Sequence, residues 1–158
     1  MAIKVTSSAF GAGAAIPRRY TGDGEDQSPP LNWQGVPAEA GGLALICDDP
    51  DAPTPEPWVH WVMYQIPVQT DGLSEGVPTD KRPTKPAGAA QGKNSWKTIG
   101  YRGPAPPKAH GTHHYHFKLY ALDRHFDLKP GLNKDELLKA IQGHILAQGE
   151  LIGTYERK

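Results

Sequence analysis

Apolar residues crowd together in three places along the chain, at 43–47, 58–66 and 115–122, and each run has the length of a strand. Period two over 58–66 puts Trp58, His60, Val62, Tyr64 and Ile66 on one face and Val59, Trp61, Met63 and Gln65 on the other. Both faces are largely apolar, which predicts a central strand covered on both sides. Over 113–120 the alternation is different: His113, Tyr115, Phe117 and Leu119 share one face, and His114, His116, Lys118 and Tyr120 share a wetter one. His113 and Tyr115 are therefore expected to point together toward a pocket. Near the end, Asn133 with Glu136 three residues later forms a capping-box pattern, and Leu137, Leu138, Ile141 and Ile145 recur at helical spacing. Gly149 is the expected stop of that helix, with 150–156 as a short closing strand. Residues 78–94, rich in Lys, Pro, Gly and Ala, read as a solvated excursion without chemistry of its own.

The composition adds that helix is confined to that one place, because 16 prolines and 18 glycines are spread through the chain. A mainly β protein is expected. Its 158 residues correspond to about one domain, 1–158, large enough to bury a core. Lys plus Arg equals Asp plus Glu at 17 each, with no local basic run, which argues against nucleic acid as a partner. Cys47 is the only cysteine, so no intrachain disulfide forms, and its place in an apolar run predicts a small buried hydrophobe. The first residues lack the apolar core of a signal peptide, and no stretch approaches the ~20 residues of a membrane span. A cytoplasmic location is the expectation.

Candidate chemistry lies in two clusters beside the apolar runs. Asp48-Asp49-Pro50-Asp51-Ala52-Pro53 leads to His60-Trp61, and Gly103-Pro104-Ala105-Pro106-Pro107 leads to His113-His114-Tyr115. Folding the strands together brings carboxylates, imidazoles and a phenol to one edge of a core, and a polar pocket results. Taken singly, these residues have plainer readings: Asp49 and Asp51 flank Pro50 as turn-capping residues do, and His60 fits a core histidine with a hydrogen-bond partner. His110, His113, His114 and His116 lie close in sequence, but on a strand His114 and His116 point away from His113, so no metal site is expected. No nucleophile elbow, phosphate-binding Gly-Lys loop or paired-cysteine motif occurs. Neither a cofactor nor an enzymatic activity is expected.

The two clusters resemble the two signature regions of phosphatidylethanolamine-binding proteins, and specifically the bacterial Raf-kinase-inhibitor-like branch. The opening 16–26, the Ser28-Pro29-Pro30-Leu31 after it and the closing 149–155 resemble that branch too, so the likeness covers nearly the whole chain. It implies an antiparallel β-sandwich with Greek-key-type connections and a short C-terminal helix. It further implies that Asp49, Asp51, His60, His113 and Tyr115 bind ligand and that Pro50, Pro53, Trp61, Gly103, Pro104, Pro106 and Pro107 frame the pocket. His114 stands where arginine is common in the family, and Gly22 where bacterial relatives often have cysteine. The implied ligand is a small anion such as phosphate or a phosphoethanolamine-like head group. Two carboxylates beside an anion require that a histidine carry positive charge, which a nearby carboxylate favours at His60 or His113, and that each aspartate be protonated or turned toward its histidine. The site should then hold anions more tightly near pH 6 than pH 8. A regulator whose pocket rim engages a kinase or protease is the alternative, and an Asp/His hydrolase is a third. The resemblance also implies a homodimer.

Overall fold

The computed structural model describes residues 2–158. The three apolar runs become neighbouring strands at the middle of one sheet: β3 (Gly42–Asp49) pairs antiparallel with both β4 (Trp58–Ile66) and β7 (His113–Leu122). β6 (Ala90–Gln91) extends the sheet beyond β4 and β8 (Ile145–Tyr155) extends it beyond β7, giving the order β6-β4-β3-β7-β8. Within it β3, β4 and β6 follow one another and β7 returns beside β3, which is a Greek-key connection. A second sheet holds β1 (Lys4–Thr6), β2 (Leu31–Gln34) and β5 (Gly72–Leu73) in the order β1-β2-β5.

The two sheets bury a common core, in which Val5, Leu31, Trp33 and Leu73 pack in one cluster with Leu45, Trp61, Met63, Phe117 and Leu119. A second cluster covers the other face of the large sheet. There Ala44, Ile46, Val62 and Tyr64 meet Leu132 and the apolar side of helix α1 (Lys134–Ile141). Every residue of β3 is buried, as a strand covered on both faces requires. Lys134 at the helix start reaches Asp48 at 2.6 Å, and Lys118 lies 3.5 Å from the same buried carboxylate, so the strand end and the helix are tied together. Among the described residues no helix is long and apolar enough to cross a membrane.

Strict alternation fails along β4. Leu43 lies opposite Ile66 but Leu45 opposite Met63, and Cys47 lies opposite Trp61 but Asp48 opposite Val59, so β4 carries one extra residue in each interval. Gln65 takes φ +55° at the first of these bulges. As a result Ile66 joins Trp61 and Met63 between the sheets, while Val59 joins Val62 and Tyr64 toward the helix. The bulge beside Val59 also releases His60 from the face of Val62 and Tyr64, and it meets Tyr115 of β7 instead, ring centroids 5.1 Å apart.

The capping box forms: the Asn133 side chain accepts from the Glu136 N–H at 2.8 Å, and the Glu136 carboxylate accepts from the Asn133 N–H at 3.0 Å. The helix stops at Ile141, ahead of the expected Gly149, because Gly143 at φ +83° turns the chain and Ile145 already begins β8. Gly149 serves another purpose, since a Cβ there would sit 1.8 Å from the Ile3 carbonyl oxygen. The excursion 78–94 is largely exposed up to Gly88, but Ala89, Ala90 and Gln91 are fully buried, and the last two form β6. Gln91 accepts from Trp61 Nε1–H at 2.7 Å and donates to the carbonyls of Pro78 and Asp80, closing the loop on itself.

Candidate functional site

β3 ends at Asp49, β4 begins at Trp58 and β7 begins at His113, so the three central strands deliver their signature residues to one end of the sheet. There they line a cavity of about 240 Å³. Its ionisable residues are Asp49, His60, His113 and Tyr115; its walls are Trp58, Trp96, Pro53, Pro106 and Pro107, with Ala52, Thr54 and Ala105 completing the lining.

Both aspartates are turned onto histidines. His113 Nδ1–H donates to Asp49 Oδ2 at 2.6 Å, with both side chains buried, and Asp49 Oδ1 accepts from the Asp51 N–H at 2.8 Å. The outer nitrogen of the same ring, His113 Nε2, lies 2.7 Å from His110 Nδ1, so a carboxylate and two imidazoles form a chain that runs outward from the floor. Asp51 Oδ2 accepts from the His114 backbone N–H at 2.8 Å and meets His114 Nδ1 at 2.7 Å. Burial pushes the Asp51 carboxyl upward, but the hydrogen bonds from the His114 ring and backbone outweigh it and hold the group below the usual range. His116 pairs with Glu150 at 3.1 Å. The histidine cluster is thus divided among separate partners, and among the described residues no three His, Cys, Asp or Glu side chains gather as metal ligands.

His60 is fixed from behind. Its Nδ1–H donates to the Arg102 carbonyl at 2.6 Å, which leaves Nε2 as an unprotonated acceptor whenever the ring is neutral. Burial lowers its pKa, against smaller opposing contributions from the Arg102 carbonyl and the Asp49 charge. Burial thus opposes the positive charge expected at His60. Burial, then the Asp49 charge, raises the Tyr115 phenol, which stays a neutral hydroxyl. Trp96 stands edge-on to Trp58 and to His60, centroids 5.5 and 5.1 Å away, with the Arg102 guanidinium 4.8 Å over its ring. Asn94 positions it, accepting from the Trp96 N–H and from Thr98 while donating to the Gly100 carbonyl.

Several residues expected at the pocket do not line it. Asp51, Pro50, Trp61, Gly103 and Pro104 are absent from the lining. Trp61 is wholly buried in the inter-sheet core beside Met63, on the face that alternation gives it. Gly103 and Pro104 anchor the second loop: the Gly103 N–H donates to Asp26 at 2.7 Å, the Pro104 carbonyl accepts from the Gly22 N–H at 2.8 Å, and a Cβ on Gly103 would lie 2.2 Å from the Tyr20 carbonyl oxygen. The opening segment 16–26 is thus the brace of the loop. Trp58 and Trp96 were not expected in the lining. Trp58 opens an apolar run and looks like core, while Trp96 lies in a polar turn outside any run; the Asn94-x-Trp96-x-Thr98 pattern, with a side chain able to close the turn, is the signal that could have found it.

A two-sheet antiparallel β protein with a small cavity at the end of the central strands, walled by two proline-rich loops, is the class that fold and site define. Residues 6–156 match the family model of the phosphatidylethanolamine-binding proteins, and the chain belongs to that family. It is 52% identical to a UPF0098 protein of Methanothermobacter thermautotrophicus over 98% of this chain and 99% of the relative. Among solved structures, a phosphatidylethanolamine-binding protein homologue from Chlamydia trachomatis superposes with a TM-score of 0.88 at 40% identity, covering 99% of each chain. Escherichia coli YbcL, described as a member of the mammalian PEBP family, superposes with a TM-score of 0.91 at 30% identity over the whole of both chains.

Proposed function

We propose that this protein binds a small oxyanion, phosphate or a phosphoethanolamine-like head group, and does not turn it over. The observation that carries this reading is the orientation of Asp49. Its carboxylate is consumed by His113 and by the Asp51 backbone N–H, so the negative charge is directed into the protein and the cavity is left with a neutral phenol and two imidazoles. Tyr115 donates its hydroxyl proton to one oxygen. A second oxygen takes the place of His110 on the outer nitrogen of His113, which then donates Nε2–H. The size of the cavity agrees, being below the roughly 300–1,000 Å³ of pockets that enclose drug-sized ligands.

Calorimetric titration of wild type and His113→Ala with phosphate and phosphoethanolamine tests the proposal. Saturable binding to wild type, weakened at least about tenfold in the variant, is the expected result, since a hydrogen bond involving a charged group contributes about 1.5–3 kcal/mol. Hydrolysis of a phosphomonoester that disappears in His60→Ala would replace binding by catalysis.

A further inference from the structure

His60 fixes what kind of oxyanion the cavity accepts. Its Nδ1–H is committed to the Arg102 carbonyl at 2.6 Å, the residue is 3% exposed, and the ring makes T-shaped contacts with Trp96 and Tyr115, centroids 5.1 Å away in each case. A carbonyl oxygen can only accept, so this contact dictates the tautomer: the proton sits on Nδ1 and the lone pair on Nε2. Nε2 has no hydrogen-bond partner in the protein and is not a sealed orphan, Gln65 Oε1 being the one such buried atom among the described residues. The ring lines the cavity. The site therefore contains a built-in acceptor beside the donors that attract an anion.

An oxyanion whose oxygens all bear only lone pairs opposes that acceptor. One that carries its own proton satisfies it. Resting on the oxyanion reading above, we propose that His60 makes the pocket selective for hydrogen-bearing phosphate, meaning inorganic phosphate or a singly ionised phosphomonoester, against sulfate and against phosphodiesters. The P–OH donates to His60 Nε2, and the remaining oxygens accept from Tyr115 and His113. Sulfate has the same tetrahedral shape but no proton at neutral pH, and a phosphodiester such as a lipid head group in its membrane-bound form has both ester oxygens substituted. The shared phosphate chemistry thus separates by source, with free phosphate and free monoester accepted and the diester rejected.

The test is a set of titrations of the wild-type protein at pH 6.5 with inorganic phosphate, sulfate and dimethyl phosphate, followed by calorimetry and by the ¹⁵N signal of His60 Nε2. Sulfate and dimethyl phosphate should bind about ten- to a hundredfold more weakly than phosphate, because each leaves a desolvated acceptor unpaired. The His60 signal should stay that of an unprotonated nitrogen and move in the direction of an accepted hydrogen bond. In His60→Phe the preference should fall to within about twofold by loss of phosphate affinity. If that variant does not fold, the wild-type comparison and the ¹⁵N shift decide alone. Equal affinity for phosphate and sulfate would overturn the selectivity while leaving the oxyanion reading standing, as would a His60 signal that becomes protonated on binding. Failure of all three anions to bind would overturn both.

Discussion

His113 Nδ1 lies 2.6 Å from Asp49 Oδ2, and the two side chains are 1% and 4% exposed. A contact this short and this dry makes Asp49 a structural acceptor as well as a pocket residue, which sets it apart from Asp51, whose carboxylate is 41% exposed and held by His114. Asp49→Asn should cost about 1.5–3 kcal/mol of stability, the range for a hydrogen bond to a charged group, and should also weaken phosphate. Asp51→Asn should cost at most about 1 kcal/mol and shift phosphate affinity by less than about twofold, as breaking a surface pair does. Urea unfolding with calorimetry on both variants checks the contrast, and equal losses of affinity would show that Asp51 reaches the ligand.

His110 occupies the nitrogen of His113 that an oxyanion needs, 2.7 Å away. Removing it by His110→Ala frees that position, and phosphate should bind about threefold or more tightly, since a net hydrogen bond amounts to about 0.5–1.5 kcal/mol. Weaker binding measured for this variant would mean that His110 is itself a ligand.

The lowered pKa of His60 makes stability depend on pH. The unfolded chain takes up a proton near pH 6.5 while the folded protein resists it, so the unfolded state binds more protons and stability rises with pH in that range. The His60 contribution is complete above about pH 6.5 and is lost as the pH falls from there toward the folded pKa. In His60→Asn, whose amide N–H can replace Nδ1–H toward Arg102, the loss of stability between pH 7 and pH 5 should be smaller than in wild type. Chemical denaturation across that interval measures it.

Gln91 is the hinge pin of the 78–91 loop, bonded to Trp61 and to two carbonyls with none of its surface exposed. Gln91→Leu leaves those three groups without partners and should destabilise by about 3 kcal/mol or more, at about 1–3 kcal/mol for each unsatisfied group. Hydrogen exchange should accelerate in 78–91. Phosphate affinity should persist at permissive temperature, because neither Gln91 nor Trp61 lines the cavity.

Gly149→Ala tests the docking of the amino-terminal segment on β8, where the Ile3 N–H donates to the Gln148 carbonyl at 3.1 Å. The added methyl has no room and should destabilise by about 1–3 kcal/mol, as overpacking does. Thermal unfolding of the variant reads the effect directly.

The outcome along the chain follows from which interactions are local. β3 and β7 were legible because their burial matches simple runs and simple alternation, and the helix start was legible because a capping box is written in four consecutive residues. The two bulges of β4 were not, since an extra residue in one strand is defined only against its partner, and strict alternation therefore put His60, Val59 and Ile66 on the wrong faces. The periodicity of Ile145 with the helix was accidental, and the positive φ of Gly143 takes precedence over it. Asp49, His60, His113 and Tyr115 lie near strand ends beside their quoted signatures, which is why a local reading places all four at the cavity they line. Trp96 was missed because a loop 36 residues from Val59 is folded back onto β4 through the Ser95 hydroxyl, a long-range contact that no local pattern encodes.

An oxyanion seated among His60, His113 and Tyr115 must perturb both imidazole rings. Histidine-selective NMR of the wild-type protein titrated with phosphate tests it most directly, with His113→Ala as the control. Saturable shifts at His60 and His113 are expected in wild type, with the His60 shift lost in the variant. Unmoved signals at both rings up to saturating phosphate would contradict it.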